Sequence, residues 1–119
     1  CIFTGNISEL GDIYRAIDIF VMPSLWEGLS LSMLEAMAAN IPMISTDVGG
    51  ARDVLGDSKW GIIVNHGDPV EISTAIKKLI QNPNLRNKMA ISGAKRVRSK
   101  YSIKIMTKRL ETIYIDAIK

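Results

Sequence analysis

Short apolar segments alternate with segments of helical period along the first half of the chain, and this alternation is what most constrains the fold. Apolar runs predict β-strands at 1–4, 19–22, 43–46 and 61–64. Helical periodicity predicts helices over 8–16, capped by Ser8, and over 32–40. Gly49-Gly50 precedes a short turn around 53–55. Because strands separated by helices are joined by crossovers, this order predicts a parallel sheet.

The second half of the chain has only helical periodicity. A helix is expected to begin at Pro69 and to end at Pro83, and two more helices are predicted over 84–100 and 102–118. At 119 residues with 47% hydrophobic content, the chain has the size and composition of one compact domain that folds alone.

Charge is distributed unevenly between the two halves. Residues 86–119 hold ten basic and two acidic side chains, whereas residues 1–85 carry a net negative charge. The basic tail is open to two interpretations, a peripheral contact with anionic membrane lipid or a solvated helix face. Nucleic acid is excluded as a partner because the basic residues are not interleaved with aromatic ones, which make up only 6% of the chain.

The sequence also bears on location. No apolar run approaches the ~20 residues of a membrane span, no leader resembles a signal peptide, and the single Cys1 cannot form an internal disulfide. A cytoplasmic protein is expected, peripheral to the cytoplasmic face of the membrane if the basic tail meets lipid. Because the chain starts without Met and within an apolar strand, we expect it to be a piece of a longer protein.

Two carboxylates, Glu27 and Glu35, lie where a strand and its loop give way to a helix, with seven residues between them. A helix start offers free backbone N–H groups and a positive dipole end, which suit a phosphorylated, hydroxyl-rich ligand. Each acid also has a structural alternative. Glu35 is placed to form a capping box with Ser32, and Glu27 could be a solvated loop acid.

The segment from Pro23 to Ala38 resembles the signature of the retaining glycosyltransferases of family 4, P-S-x-x-E-G-x-x-x-x-x-x-E-A-M-A. Further segments follow in the order found in that family, so that the resemblance covers almost the whole chain: 3–5, 14–21, 41–44, 49–50, 61–64 and 101–102. The resemblance implies a Rossmann-like α/β fold, a parallel sheet with helices on both faces in three layers. It also implies that residues 1–119 are part of the carboxy-terminal, nucleotide-sugar-binding half of a GT-B two-domain architecture.

The same resemblance implies roles for the two glutamates. Glu35 corresponds to the acid that accepts hydrogen bonds from both ribose hydroxyls, in keeping with a bidentate acceptor facing a vicinal diol. Glu27 corresponds to the catalytic glutamate, which contacts hydroxyls of the donor sugar near the reacting carbon. Either orientation of the sugar or stabilisation of positive charge is open to it, and we favour orientation.

The remaining donor-binding residues are implied through backbone and loop positions. Gly28 permits close approach, and the N–H groups of Leu29, Ser30 and Leu31 are placed to bind sugar oxygens or diphosphate. Family members often have Phe-Gly where this chain has Leu29-Ser30, which leaves the donor sugar open. The loop residues Pro23, Ser24, Gly49 and Gly50 line the site, although a two-glycine turn is also common as a simple connection.

No metal site or cofactor is predicted. The chain has one histidine, His66, and no Asp-x-Asp motif, so a nucleotide diphosphate sugar is expected as a metal-independent substrate. In the family, the Arg and Lys that hold the diphosphate and the amino-terminal acceptor domain precede this region. The fragment alone is therefore expected to be inactive.

The predicted function is donor binding for retaining transfer of a sugar to an acceptor hydroxyl, in polysaccharide or glycolipid biosynthesis. Two alternatives remain open at this point. One is a non-catalytic nucleotide-sugar-binding module, and the other is an α/β interaction domain whose glutamates serve only as capping and surface acids.

Overall fold

The computed structural model describes residues 1–119 and contains six helices and three strands. In chain order these are α1 (Leu10–Ala16), β1 (Phe20–Met22), α2 (Leu31–Ala38), β2 (Met43–Thr46), α3 (Ala51–Leu55), β3 (Ile62–Val64), α4 (Pro69–Gln81), α5 (Pro83–Lys100) and α6 (Ile103–Ala117).

The three strands form one sheet in the order β1-β2-β3, and both pairings are parallel. Val21 lies opposite Ile44, and Ser45 lies opposite Ile63. The central strand β2 is buried along its whole length, which is typical of parallel strands covered on both faces. The predicted parallel sheet is therefore confirmed.

Two apolar cores occupy the two faces of this sheet. Met43 belongs to one cluster, with side chains from α2 and α3 and with Val97 of α5. Its neighbour Ile44 belongs to the other, with Leu79 of α4 and Met89 of α5. Because successive side chains of a strand point to opposite faces, helices cover both sides of the sheet. This is the three-layer Rossmann-like arrangement that the family resemblance implies.

Polar side chains and prolines set several helix boundaries. The Asp68 carboxylate accepts hydrogen bonds from the N–H groups of Val70 and Glu71, at 3.0 and 2.9 Å, so that α4 begins at Pro69 as predicted. Asn82 caps α5 in the same way, accepting from Leu85 N–H at 3.0 Å. The first of these helices ends at Gln81 and not at Pro83 as predicted, because Pro83 is the first residue of the next helix.

Two predictions near the amino terminus are wrong. Residues 1–4 form no strand, and the sheet consists of β1, β2 and β3 alone. The first helix begins at Leu10, and its N-cap position is held by Glu9, which makes no capping hydrogen bond with its side chain. Ser8 lies one residue too early to cap it.

The last helix, α6, differs from the others because none of its residues is buried. It is capped by Ser102, whose side-chain oxygen accepts from Ile105 N–H at 3.4 Å. The molecule is elongated, with extents of 54 × 29 × 29 Å. No helix combines the length and the apolar character that crossing a bilayer requires.

Candidate functional site

The carboxyl ends of the three parallel strands lie at one edge of the sheet, where open α/β folds bind ligands. Three loops leave this edge, 23–30 after β1, 47–50 after β2 and 65–68 after β3. The first two loops carry most of the predicted site residues: Pro23, Ser24, Glu27, Gly28, Leu29, Ser30, Gly49 and Gly50. Leu31 begins α2.

The hydroxyl of Thr46, at the end of β2, holds the first loop in place. It donates to the carbonyl oxygen of Ser24 at 2.6 Å and lies 3.3 Å from that of Met22. Thr46 is fully buried, so water cannot readily replace this hydrogen bond. The chain leaving β1 is thereby tied to the neighbouring strand.

Loops 23–30 and 47–50 also contact each other through their backbones. Gly50 N–H donates to the carbonyl oxygen of Gly28 at 2.9 Å. Gly49 has a φ of +48°, and a Cβ added there would lie 2.0 Å from the carbonyl oxygen of Glu27 and 2.3 Å from that of Gly28. The Gly49-Gly50 pair is therefore more than a simple turn, because only glycine permits this contact.

The start of α2 presents free hydrogen-bond donors beside these loops. Ser30 is the N-cap residue, and its side-chain oxygen accepts from Met33 N–H at 3.4 Å. The backbone N–H groups of residues 29–32 have no acceptor within the chain. Because Ser30 caps the helix instead of Ser32, the alternative of a Ser32–Glu35 capping box is wrong.

Glu35 lies on α2, four residues after Leu31 and therefore on the same face of the helix. It is exposed, and its Oε2 accepts a hydrogen bond from the Tyr14 hydroxyl at 2.9 Å. Burial, the hydrogen bond to Glu35 and the charge of Glu35 raise the pKa of Tyr14 to about 12. Tyr14 therefore stays a neutral donor at physiological pH. This partnership joins residues 21 positions apart, and no sequence motif indicates it.

The acids at this edge differ in their surroundings. Arg52 bridges Asp47 and Asp57, and these hydrogen bonds, above all the one to Asp47, raise the pKa of its guanidinium. The carboxylate of Asp47 is therefore already paired with Arg52. The carboxylate of Glu27 is half-buried and makes no hydrogen bond or ion pair within the chain, which leaves it free for a ligand.

The third loop adds little side-chain chemistry. His66 is exposed, and Asn65 N–H donates to the Glu71 carboxylate at 2.7 Å. No group of three or more His, Cys, Asp and Glu side chains is placed to hold a metal ion.

Comparison with known sequences identifies relatives over nearly the whole chain. The family model described as "Glycosyl transferases group 1" matches residues 1–96. The capsular polysaccharide biosynthesis glycosyltransferase CapM of Staphylococcus aureus is 35% identical over 114 residues, which are 96% of this chain and 30% of that protein. The lipopolysaccharide core biosynthesis mannosyltransferase LpsB of Rhizobium meliloti is 31% identical, over 95% of this chain and 33% of that protein. The chain thus spans about a third of these relatives.

Comparison with solved structures identifies proteins that share this fold. The C-terminal domain of a glycosyl transferase group 1 family protein (LpcC) from Francisella tularensis aligns with a TM-score of 0.76 and 36% identity, over 85% of this chain and 53% of that one. Sucrose-phosphate synthase from Thermosynechococcus elongatus aligns with a TM-score of 0.85 and 25% identity, over 92% of this chain and 27% of that one. The predicted fold class, the carboxy-terminal domain of a GT-B architecture, is confirmed.

Proposed function

Because the chain belongs to the glycosyl transferases group 1 family, we propose that it forms most of the donor-binding domain of a retaining glycosyltransferase. The donor is a nucleotide diphosphate sugar, whose sugar passes to an acceptor hydroxyl with its anomeric configuration retained. One observation carries this proposal. Gly49-Gly50 packs on the backbone of Glu27-Gly28, beside a helix start with unoccupied N–H groups.

In this proposal, the start of α2 binds the diphosphate or sugar oxygens. Four consecutive N–H groups, those of residues 29–32, lack an internal acceptor, and the positive end of the helix dipole favours an anion at this position. Gly28 is exposed and carries no side chain that would shield them. Leu29, Ser30 and Leu31 therefore contribute through their backbones, while Pro23 and Ser24 line the neighbouring strand end.

Glu35 binds the ribose hydroxyls in this proposal. A carboxylate is an acceptor with four lone-pair sites, and Tyr14 uses only one of the two oxygens as an acceptor. The hydrogen bond from Tyr14 leaves Oε1 free and limits rotation of the carboxylate, so that the group is oriented before the ligand arrives.

Glu27 orients the donor sugar. Its carboxylate has no internal partner, and its carbonyl oxygen is held by the close approach of Gly49. Fixing the anomeric carbon against an acceptor hydroxyl lowers the entropic part of the barrier. Hydrogen bonds from the helix start stabilise the departing diphosphate electrostatically. The reaction is proposed to need no metal ion.

The rest of the proposed protein lies outside this chain. Basic residues for the diphosphate and the acceptor site belong to upstream parts of the longer protein, so the chain alone is expected to be inactive. Capsular polysaccharide and lipopolysaccharide core biosynthesis appear in the names of the relatives, which supports a role in polysaccharide or glycolipid biosynthesis. A cytoplasmic location at the membrane periphery is in keeping with an acceptor that is a polysaccharide or a glycolipid.

Nucleotide titration tests the donor site. The folded chain is titrated with uridine, guanosine and adenosine diphosphates and their sugar conjugates, and backbone amide shifts are followed by NMR. We expect one base to shift the amides of residues 29–35, with a Kd near the millimolar range, about −4 kcal/mol. Glu35→Gln should weaken binding at least about tenfold, the loss of a hydrogen bond to a charged group.

Glu111→Gln is the matched control, since Glu111 is an exposed acid on α6. It should leave binding unchanged. A well-folded chain whose amides 29–35 respond to none of the nucleotides would contradict the proposal and favour an interaction domain. Equal losses in Glu35→Gln and Glu111→Gln would show a general charge effect instead of a ribose contact.

A further inference from the structure

We propose that Tyr14 is a positioning residue of the donor site, and that its hydroxyl enables Glu35 to distinguish a ribonucleotide from a 2′-deoxyribonucleotide. The inference rests on the proposed function, in which Glu35 binds the ribose hydroxyls. It goes beyond that function because it assigns the choice of the nucleotide's ribose to a residue of another helix. The contact between the two side chains and its surroundings carry the inference.

The hydrogen bond from Tyr14 to Glu35 is unlike the other hydrogen bonds between side chains of this chain. It joins α1 to α2 across 21 positions, whereas each of the other five joins residues at most five positions apart. Side chains that are close in sequence meet readily on a helix or loop surface, but a distant pair meets only where the fold brings it together. Packing of the helices on the sheet therefore determines where this hydroxyl lies.

The ring of Tyr14 is held by contacts that do not involve Glu35. It is partly buried and packs against the apolar cluster that contains Met43. Its centroid lies 6.3 Å from that of Phe20 on β1, within the range of favourable aromatic pairs. Because the pKa of Tyr14 is raised to about 12, the hydroxyl keeps its proton at physiological pH. Tyr14 thus presents a neutral donor at a position fixed by the core.

Tyr14 is also the only group of this chain that donates to the Glu35 carboxylate. Glu35 takes part in none of the four ion pairs. A neutral donor orients the carboxylate without cancelling its charge, and a charged acceptor forms the stronger hydrogen bonds with hydroxyl groups. Since the Tyr14 hydroxyl occupies one of about four acceptor positions, both carboxylate oxygens can still accept from a ligand.

A fixed carboxylate favours a vicinal diol over a single hydroxyl. The two ribose hydroxyls lie at a set separation, and both oxygens of Glu35 accept from them only in a narrow range of carboxylate orientations. A 2′-deoxyribose keeps one of these hydroxyls, which one oxygen accepts over a much wider range. Ordering a side chain before the ligand arrives lowers the cost of binding, and this saving is larger for the contact that demands the narrower range. The Tyr14 hydroxyl should therefore strengthen binding of the ribonucleotide more than that of its 2′-deoxy form.

Paired nucleotides measure this selectivity. Uridine, guanosine and adenosine diphosphates and their 2′-deoxy counterparts are titrated into the chain and into Tyr14→Phe, with amide shifts of residues 29–35 as the readout. The unsubstituted chain should bind the preferred ribonucleotide about tenfold more tightly than its 2′-deoxy form, since a hydrogen bond to a charged group is lost. Tyr14→Phe should weaken binding of the ribonucleotide about fivefold and that of the 2′-deoxy form less than about twofold. The selectivity should thus fall below about fourfold.

Tyr101→Phe is the matched control. Tyr101 is also partly buried, and its hydroxyl also makes one hydrogen bond of 2.9 Å, to the carbonyl oxygen of Asp53. The control removes the same group and one hydrogen bond of the same length without touching Glu35, so the selectivity should not change. Glu35→Ala should bind the ribonucleotide and its 2′-deoxy form equally, because it has no carboxylate to accept from the diol. Urea denaturation verifies that each variant is folded under the conditions of the titration.

Three results would overturn the inference while nucleotide binding itself persists. Tyr14→Phe could weaken both forms of the nucleotide equally, or Tyr101→Phe could lower the selectivity as much as Tyr14→Phe does, and either result would show a general loosening of the fold. Selectivity retained in Glu35→Ala would show that another group recognises the 2′-hydroxyl. Binding of the nucleotide to residues 29–35 would still support the donor-binding domain after the first two results, whereas a folded chain that binds no nucleotide would overturn both proposals.

Discussion

Strand β2 and helix α6 both contain isoleucine and other apolar residues, yet they lie in opposite environments. Every residue of β2 is buried, whereas no residue of α6 is. The strand lies between two neighbours in the sheet and beneath helices on both faces. The helix has no comparable neighbour along its length. The comparison shows that an apolar pattern leads to burial only where another element is present to cover it.

The same difference separates the loops of the candidate site from the surface of α6. The loops of the candidate site extend from strands β1 and β2 and are fixed by Thr46 and by the contact between Gly49 and Glu27. A cleft between α6 and the start of α2 has one wall on α6, a helix with no buried residue. We therefore expect substitutions near the sheet to lower the free energy of unfolding much more than substitutions on α6.

The largest effect is expected for Gly49→Ala. The added Cβ would overlap two backbone carbonyl oxygens in a residue with positive φ, so that one of the two loops must move. We expect the free energy of unfolding to fall by about 4 kcal/mol, measured by urea denaturation. Gly67→Ala is the matched control, because Gly67 also has a positive φ, +76°, but open space around it. It should cost about 1 kcal/mol. Equal losses would mean that the close contact carries no strain of its own.

A pair of identical substitutions sharpens the comparison of the two regions. Ile44→Ala, in the middle of β2, removes a side chain with no solvent exposure and should lower the free energy of unfolding by about 3 kcal/mol through lost burial and a residual cavity. Ile113→Ala, on α6, should change it by less than about 0.5 kcal/mol. Denaturant midpoints measure both. A large loss at Ile113 would show that α6 packs on another surface in solution.

The smallest effect concerns two tyrosines. Burial and the contact with Glu35 raise the pKa of Tyr14 from 10.0 to about 12. In that interval the unfolded chain loses the tyrosine proton more readily than the folded one, so the stability gained from neutral Tyr14 is present below pH 10 and is lost by about pH 12. Absorbance titration should show one tyrosine that ionises with a pKa of about 12. Tyr14→Phe should remove this part of the absorbance change.

Tyr114→Phe, on the exposed helix α6, serves as the control and should leave that component in place. Glu35→Gln should lower the pKa of Tyr14 only part of the way, because burial, the largest cause of the shift, is unchanged. A complete return to 10.0 in Glu35→Gln would show that the carboxylate alone holds the hydroxyl proton.

Local patterns predicted the elements well where local chemistry sets their ends. The bounds of β2, Met43–Thr46, were predicted without error. Pro69 was placed correctly because Asp68 and Pro69 begin a helix together. Predictions failed where an element depends on distant partners. Residues 1–4 have a strand-like composition but no neighbouring strand. The capping box failed because α2 begins at Leu31, after Ser30, so that Ser32 lies inside the helix.

For the candidate site, the sequence by itself determined the identity of its residues and their order at the strand ends, because parallel strands bring their following loops to one edge. Only the tertiary structure decided which of them touch. The hydrogen bond from Tyr14 to Glu35, the packing of Gly49 on Glu27 and the cleft between α6 and the leucines of α2 all join residues more than 20 positions apart. Such contacts follow from how the helices and loops pack on the sheet, a property of the whole chain that no local pattern encodes.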